Sequence, residues 1–199
     1  MASRSDASRK AILKATLDLL GDEPPGPLSV QKLSIERIAR QAGVSKMTIY
    51  RWWPSKAAVV IESFLDSHLA ATPVRQEGRA IDALREHMRS LARVYAGPEG
   101  RIVAQLIAES QYDPETLKSF NELFWLGRQE VTSALVARAV AEGDLRSDFD
   151  PKFMAELLYG PIYLRLLTRP DALSEDLVEQ VWEATVAGLA PLGPASNDD

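Results

Sequence analysis

Leu33-Ser34-Ile35-Glu36-Arg37-Ile38-Ala39-Arg40-Gln41-Ala42-Gly43-Val44-Ser45-Lys46-Met47-Thr48-Ile49-Tyr50-Arg51-Trp52-Trp53-Pro54-Ser55-Lys56 reads as two short helices around one glycine, closed by a proline. Ser34 can accept an orphan backbone N–H of a first helical turn. Ile35, Ile38, Ala39 and Ala42 follow at i, i+3, i+4 and i+7, the apolar stripe of one helix face. Gly43 stands where a helix end favours a residue that tolerates positive φ. Ser45 can cap a second helix after a turn of helix-turn-helix length. That second helix carries Lys46, Thr48, Tyr50, Arg51 and Trp52, donors and aromatics with few acidic neighbours, and reads as a DNA recognition helix. Pro54 ends it, because the residue before a proline is pushed out of the α region.

The charge balance points to the same end of the chain. The 199 residues carry a net charge of −5, which argues mildly against nucleic acid. Residues 1–60, however, hold ten Lys/Arg against five Asp/Glu, and residues 61–199 hold thirteen against twenty-three. A basic head on an acidic body confines the attraction for phosphate to the head. The absence of cysteine excludes disulfides and thiolate metal sites and suits a reducing compartment. No apolar run reaches the length of a membrane span, and residues 1–10 lack the apolar core of a secretory signal, so neither is expected.

Outward from the quoted stretch, residues 7–20 form a first helix with Ile12, Ala15, Leu19 and Leu20 on one side. Gly21 to Lys32 is a connector with three prolines. Ser55 can cap a helix to about Ala71, apolar on two sides. Ile81, Leu84, Met88, Leu91 and Tyr95 mark a helix between Gly78 and Tyr95, and Gly97-Pro98-Glu99-Gly100 is a break before a short helix over residues 101–110. Asp113-Pro114 and Asp150-Pro151 are paired start signals of N-cap and N1 proline. The first opens a helix to Glu142 with Gly143 beyond it, the second a helix to about Thr168. Ser174 opens the last helix. No alternating β-branched run competes. The fold class is therefore all-α, with nine helices: a three-helix helix-turn-helix head over residues 1–56, a six-helix body over residues 57–190, and a disordered tail over residues 191–199.

This order of parts resembles the TetR family of bacterial transcriptional regulators. The resemblance is carried by Ser34 to Ala39, Ala42-Gly43-Val44-Ser45, Thr48-Ile49-Tyr50 and Trp53-Pro54-Ser55-Lys56, and more weakly by residues 158–167. The Gly21–Lys32 connector is longer than the family's usual passage between its first two helices. The resemblance implies a cytoplasmic bacterial protein whose Ser34, Tyr50 and Lys56 contact DNA phosphates. It also implies that Lys46, Met47, Thr48, Arg51 and Trp52 face the groove beside the cap residue Ser45. The residue chemistry agrees: lysine can donate to guanine, threonine offers a hydroxyl and a methyl to thymine, and Tyr50 and Lys56 can donate to phosphate oxygens. Ile49 and Trp53 read as core.

One helix-turn-helix buries little surface, so a homodimer on a palindromic double-stranded operator is expected. The last two helices are apolar on more than one face. Phe153, Leu157, Ile162, Leu166, Val178, Trp182 and Val186 are candidates for an isologous four-helix interface, the alternative being a plain core pair. The body is expected to hold a pocket for a small-molecule effector among His68, Tyr95, Gln105, Tyr112, Asn121, Phe124, Trp125 and Tyr159. No cofactor and no metal are expected. An enzyme is disfavoured: there is no nucleophile elbow, phosphate loop or zinc-binding HExxH, and helix capping accounts for Asp148 and Asp150. The sequence leaves open a repressor, an activator or an architectural DNA-binding protein.

Overall fold

A computed structural model describes residues 4–21 and 28–190. Residues 22–27 of the connector and the expected tail lie outside these. Among the described residues all regular structure is helical: α1 (Arg4–Leu20), α2 (Ile35–Ala42), α3 (Lys46–Tyr50), α4 (Lys56–Ala71), α5 (Ala80–Tyr95), α6 (Pro98–Ser110), α7 (Pro114–Phe120), α8 (Leu126–Ala141), α9 (Pro151–Thr168) and α10 (Glu175–Leu189). A π turn (Asn121–Trp125) joins α7 to α8 without a break. Counted as one rod, these three pieces bring the total to the expected nine.

The ends of the helices follow the side-chain signals. The Asp113 carboxylate accepts from the Glu115 and Thr116 amides, and the Asp150 carboxylate accepts from Lys152 and Phe153. The Ser174 hydroxyl accepts from Leu177. Gly143, at φ +81°, closes α8: its N–H donates to Val140 and that of Asp144 donates to Ala139. This pair of bonds satisfies carbonyls that the helix end leaves open. One boundary is corrected. The break falls at Ala96-Gly97, and α6 starts three residues before the expected position 101, because Pro98 occupies its first position, where its missing N–H costs nothing.

The chain divides into two compact units. The first comprises residues 1–70 and 97–127, the second residues 71–96 and 128–199. Packing therefore places α4, α6 and α7 with the helix-turn-helix, beyond the 56/57 boundary of the sequence reading. In the first unit α1 packs on α2, α2 on α3, and α6 on α7. Ile12, Leu20, Ile38, Ile49, Phe64, Leu106 and Phe124 are fully buried in it. Each such side chain contributes about 1.5–3 kcal/mol of transfer free energy. Phe124 lies edge-on to Phe64 at 5.8 Å and 5.1 Å from the His68 ring, with Phe120 at 5.4 Å.

In the second unit α5, α9 and α10 pack against one another. Carboxylates of α10 brace α5: Glu179 pairs with Arg85 and Arg89, and Glu175 pairs with Arg93. The two guanidiniums hold the Glu179 carboxyl below the usual glutamate range. Arg146 fixes the chain after α8 by donating its backbone N–H to Leu189 at 2.8 Å.

Candidate DNA-binding surface

Local chemistry builds the helix-turn-helix. The Ser34 hydroxyl accepts from the Arg37 amide, starting α2. Gly43 takes φ +68°, and the N–H of Val44 returns to Ala39 at 3.0 Å. The Ser45 hydroxyl then accepts from the Thr48 amide at 3.1 Å and starts α3. Within α3 one side turns inward: Ile49 is fully buried, and Trp53 just beyond is 2% exposed. Trp53 donates its indole N–H to Glu62 at 2.6 Å, and Arg9 pairs with the same carboxylate. Arg9 thereby joins α1 to α4.

The other side of α3 is open. Met47 is 76% and Tyr50 51% exposed, and Lys46, Arg51 and Trp52 are exposed beside them. Met47, Thr48, Tyr50 and Arg51 line an open concavity of about 440 Å³. Arg51 lies over the Trp52 ring at 5.9 Å. Lys46 pairs with Glu36 at 2.8 Å. Glu36 raises the lysine's pKa and is itself lowered by it, chiefly through their hydrogen bond. Both groups are exposed, so a phosphate or a base edge can displace this pair at little cost. The Ser45 and Thr48 hydroxyls share a hydrogen bond at 3.0 Å, and the Thr48 methyl takes no part in it.

Lys56 corrects the sequence reading. Its ammonium is turned inward, onto the Val30 carbonyl at 2.8 Å and the Glu109 carboxylate at 2.8 Å, and the side chain is 21% exposed. A phosphate contact would strip Glu109 of its partner, so Lys56 is a strut here. The same segment is held at its other face, because Gln105 accepts from the Val30 N–H at 2.6 Å. Both polar groups of Val30 are thus gripped, one by α6 directly and one through α4. Gln105 and Glu109 lie 53 to 75 residues from what they hold, and no local pattern marks them.

The comparisons bear on the whole chain. Residues 12–62 match the family described as "Bacterial regulatory proteins, tetR family", and residues 74–185 match "Tetracyclin repressor-like, C-terminal domain". The chain belongs to the TetR family. The HTH-type transcriptional regulator YdeS of Bacillus subtilis (strain 168) is 32% identical over 178 residues, covering 89% of this chain and 87% of that protein. The crystal structure of the TetR family transcription regulator SCO0332 superposes with a TM-score of 0.75 at 28% identity, covering 92% of this chain and 99% of that one. FadR of Thermus thermophilus, solved in complex with lauroyl-CoA, shares the fold at a TM-score of 0.68 and 21% identity over 96% of this chain and all of that one. The chain is thus a helix-turn-helix transcriptional regulator, and its relatives are regulators rather than enzymes.

In this TetR-family chain the expected effector residues divide between the two units, with Tyr95 and Tyr159 in the second and the other six in the first. His68 and Phe124 share the aromatic cluster of the first unit, where His68 Nδ1 faces Glu99. Asn121 and Trp125 are half-buried on the π turn. Two expectations are corrected: Gln105 is spent on Val30, and Tyr112, at 67% exposure, is a surface residue that cannot wall a pocket. Tyr95 and Tyr159 belong to the second unit, where His87 bonds Tyr159 at 2.6 Å and Tyr95 bonds Tyr163 at 3.1 Å.

The expected interface residues divide as well. Phe153 and Leu157 are exposed on α9, and Val186 is half-buried on α10. Ile162, Leu166 and Val178 are buried in the chain's own core, so they cannot also cover a partner. Trp182 is nearly buried, with Arg85 over its ring at 5.7 Å. The exposed apolar residues that continue the face of Phe153 and Leu157 are Leu164 and Leu167.

Proposed function

We propose that this TetR-family regulator is a cytoplasmic repressor that binds a palindromic operator as a homodimer and is released by a small-molecule effector. In this reading residues 1–56 carry DNA recognition and residues 57–190 carry effector binding and dimerisation. The observation that carries the DNA half is the division of α3. Ile49 and Trp53 anchor it, while Met47, Thr48, Tyr50, Arg51 and Trp52 lie open on one surface. A helix presented in this way by a helix-turn-helix enters the major groove.

Dimerisation is supported by Phe153, Leu157, Leu164 and Leu167, spaced i, i+4, i+11 and i+14 along α9 and all exposed. An apolar stripe of this length on one helix face is the signature of a protein–protein contact. A two-fold dimer would set the recognition helices about 34–36 Å apart, one turn of B-DNA. Release is a population shift: the effector prefers a conformation in which α4 tilts and the two heads leave groove spacing. Residues 28–33 and the start of α4 move together in that shift, because Lys56, Gln105 and Glu109 tie them to α6.

Selection of bound sequences from a random duplex library by the purified protein tests the reading. Two inverted half-sites with centres about 10 bp apart are expected, and a flat result refutes specific binding. A reporter placed behind the selected operator then gives the sign: expression rises when the regulator gene is deleted.

A further inference from the structure

The second unit contains a half-buried arginine with no carboxylate partner. Arg79, Arg85, Arg89, Arg93, Arg138 and Arg146 each face an aspartate or glutamate. Arg128 faces none among the described residues. Its Nη2 donates instead to two neutral acceptors, His87 Nε2 at 2.8 Å and Thr72 Oγ1 at 3.1 Å. Its Nε and Nη1 donate to no described residue.

The proton positions around it follow by elimination. Because His87 Nε2 accepts from the guanidinium, the imidazole is neutral with its proton on Nδ1. Nδ1 therefore donates to the Tyr159 hydroxyl at 2.6 Å. Tyr159 is left with its own O–H to give, and no described residue takes it. Burial pushes the Tyr159 and Tyr163 phenols up, against the pull of the Arg128 charge that reaches both. Neither phenol can ionise to balance the guanidinium. The cluster thus offers a cation and a phenolic donor over a nearly buried floor of His87 and Tyr159, and its acceptors are already used. A partly desolvated cation needs a counter-charge, and a guanidinium is best matched by a two-oxygen anion.

We propose that this cluster binds a carboxylate, so that the effector is a small organic acid held by Arg128 and by the Tyr159 hydroxyl. The assignment rests on the reading that the C-terminal domain takes an effector. His87 is a positioning residue: it fixes the guanidinium with one ring nitrogen and the phenol with the other.

The test uses the full chain and matched probes: octanoate against octanamide, and benzoate against benzamide, with inorganic phosphate as the control anion. Affinity is read by calorimetry and by the rise in melting temperature. At least one acid is expected to bind while its amide does not. Arg128→Gln lowers that affinity roughly ten- to hundredfold, the worth of a charged hydrogen-bonded contact. Arg128→Lys keeps the charge and loses part of the affinity, which holds the test open if the glutamine variant does not fold. Tyr159→Phe weakens acid binding severalfold; it also lowers the unliganded melting temperature, because the buried His87 Nδ1–H loses its acceptor, so affinity is compared at a temperature where both proteins are folded.

Equal binding of acid and amide, a response to phosphate as strong as to either acid, undiminished affinity in Arg128→Gln, or no response to any acid would each overturn the site. An acid that binds without changing operator affinity would overturn its role as effector. Operator selection with the same preparation separates the two readings. If DNA is selected and no acid binds, this inference alone fails; if an acid binds and no operator emerges, the site stands and the regulator reading fails.

Discussion

Gly43 shows how much a single position can fix. At φ +68° it ends α2 and aims the turn into α3, yet a Cβ there would meet nothing within 4 Å. The penalty for any other residue is therefore conformational and not steric. Gly43→Ala should lower stability by about 1 kcal/mol, read as a shift of the urea midpoint with an unchanged slope; an unshifted midpoint would show that the turn tolerates alanine. Two lysines with equal charge and opposite surroundings, one exposed and one turned inward, give a second comparison. Lys46→Ala should weaken operator binding by about 1–3 kcal/mol if the residue reads a base, with little change in melting. Lys56→Ala should act on the fold: it leaves Glu109, already carrying one buried oxygen without a partner, with no cation. A loss of about 1–3 kcal/mol is expected in denaturation. The sequence distinguished Gly43, Ser34 and Ser45 because their partners lie within five residues. It misassigned Lys56 because Val30 and Glu109 are distant along the chain.

At the level of elements, caps and periodicity place most helix ends to within three residues. The departures occur where an element answers to something beyond itself. The π turn at residues 121–125 was not legible, since its one extra residue per turn serves the packing of Phe120 and Phe124 with Phe64 and His68. The inward and outward sides of α9 were also misjudged. Apolar residues surround that helix, so periodicity does not say whether Ile162 or Leu164 faces the core. The bracing of α5 by α10 gives a pH prediction. Glu179 is held below its ordinary range by Arg85 and Arg89. A carboxylate lowered in the fold adds stability that is present above its unfolded value of about 4.3 and is lost as pH falls through the folded value. Glu179→Gln should flatten the acid limb of the stability–pH curve below about pH 4.5 and leave the slope between pH 6 and 8 unchanged. Identical acid limbs in parent and variant would remove Glu179 from the account.

For the molecule as a whole, the all-helical class and the regulator family were legible from about 25 residues, because the helix-turn-helix writes its caps, turn and buried face into one continuous stretch. The organisation beyond it was not. The grouping of α6 and α7 with the head depends on contacts such as Ser55 with Ser119 and Val30 with Gln105, which no spacing announces. The same holds for Arg128, 41 residues from His87. Assembly is the property to test at this scale. Leu164, at 61% exposure, is the most open member of the α9 stripe. Leu164→Glu should shift sedimentation from dimer to monomer and reduce operator affinity, while the monomer keeps its helical circular dichroism. A variant that sediments as a dimer would move the interface away from α9.

The anchoring on either side of the proline-rich connector has a practical corollary. The Gly21 N–H donates to Leu17 at 2.8 Å, and that of Leu28 donates to Leu19 at 3.0 Å, so Gly21 and Leu28 are both fastened to the last turns of α1. Just past Leu28, Val30 is gripped on both sides. Extra length between Gly21 and Leu28 is then a detour that starts and finishes at one address, invisible to the recognition helix. A ten-residue Gly/Ser insert there should cost about 1 kcal/mol in loop closure and leave operator affinity unchanged in a mobility-shift titration, which makes this connector a port for a tag or a reporter module.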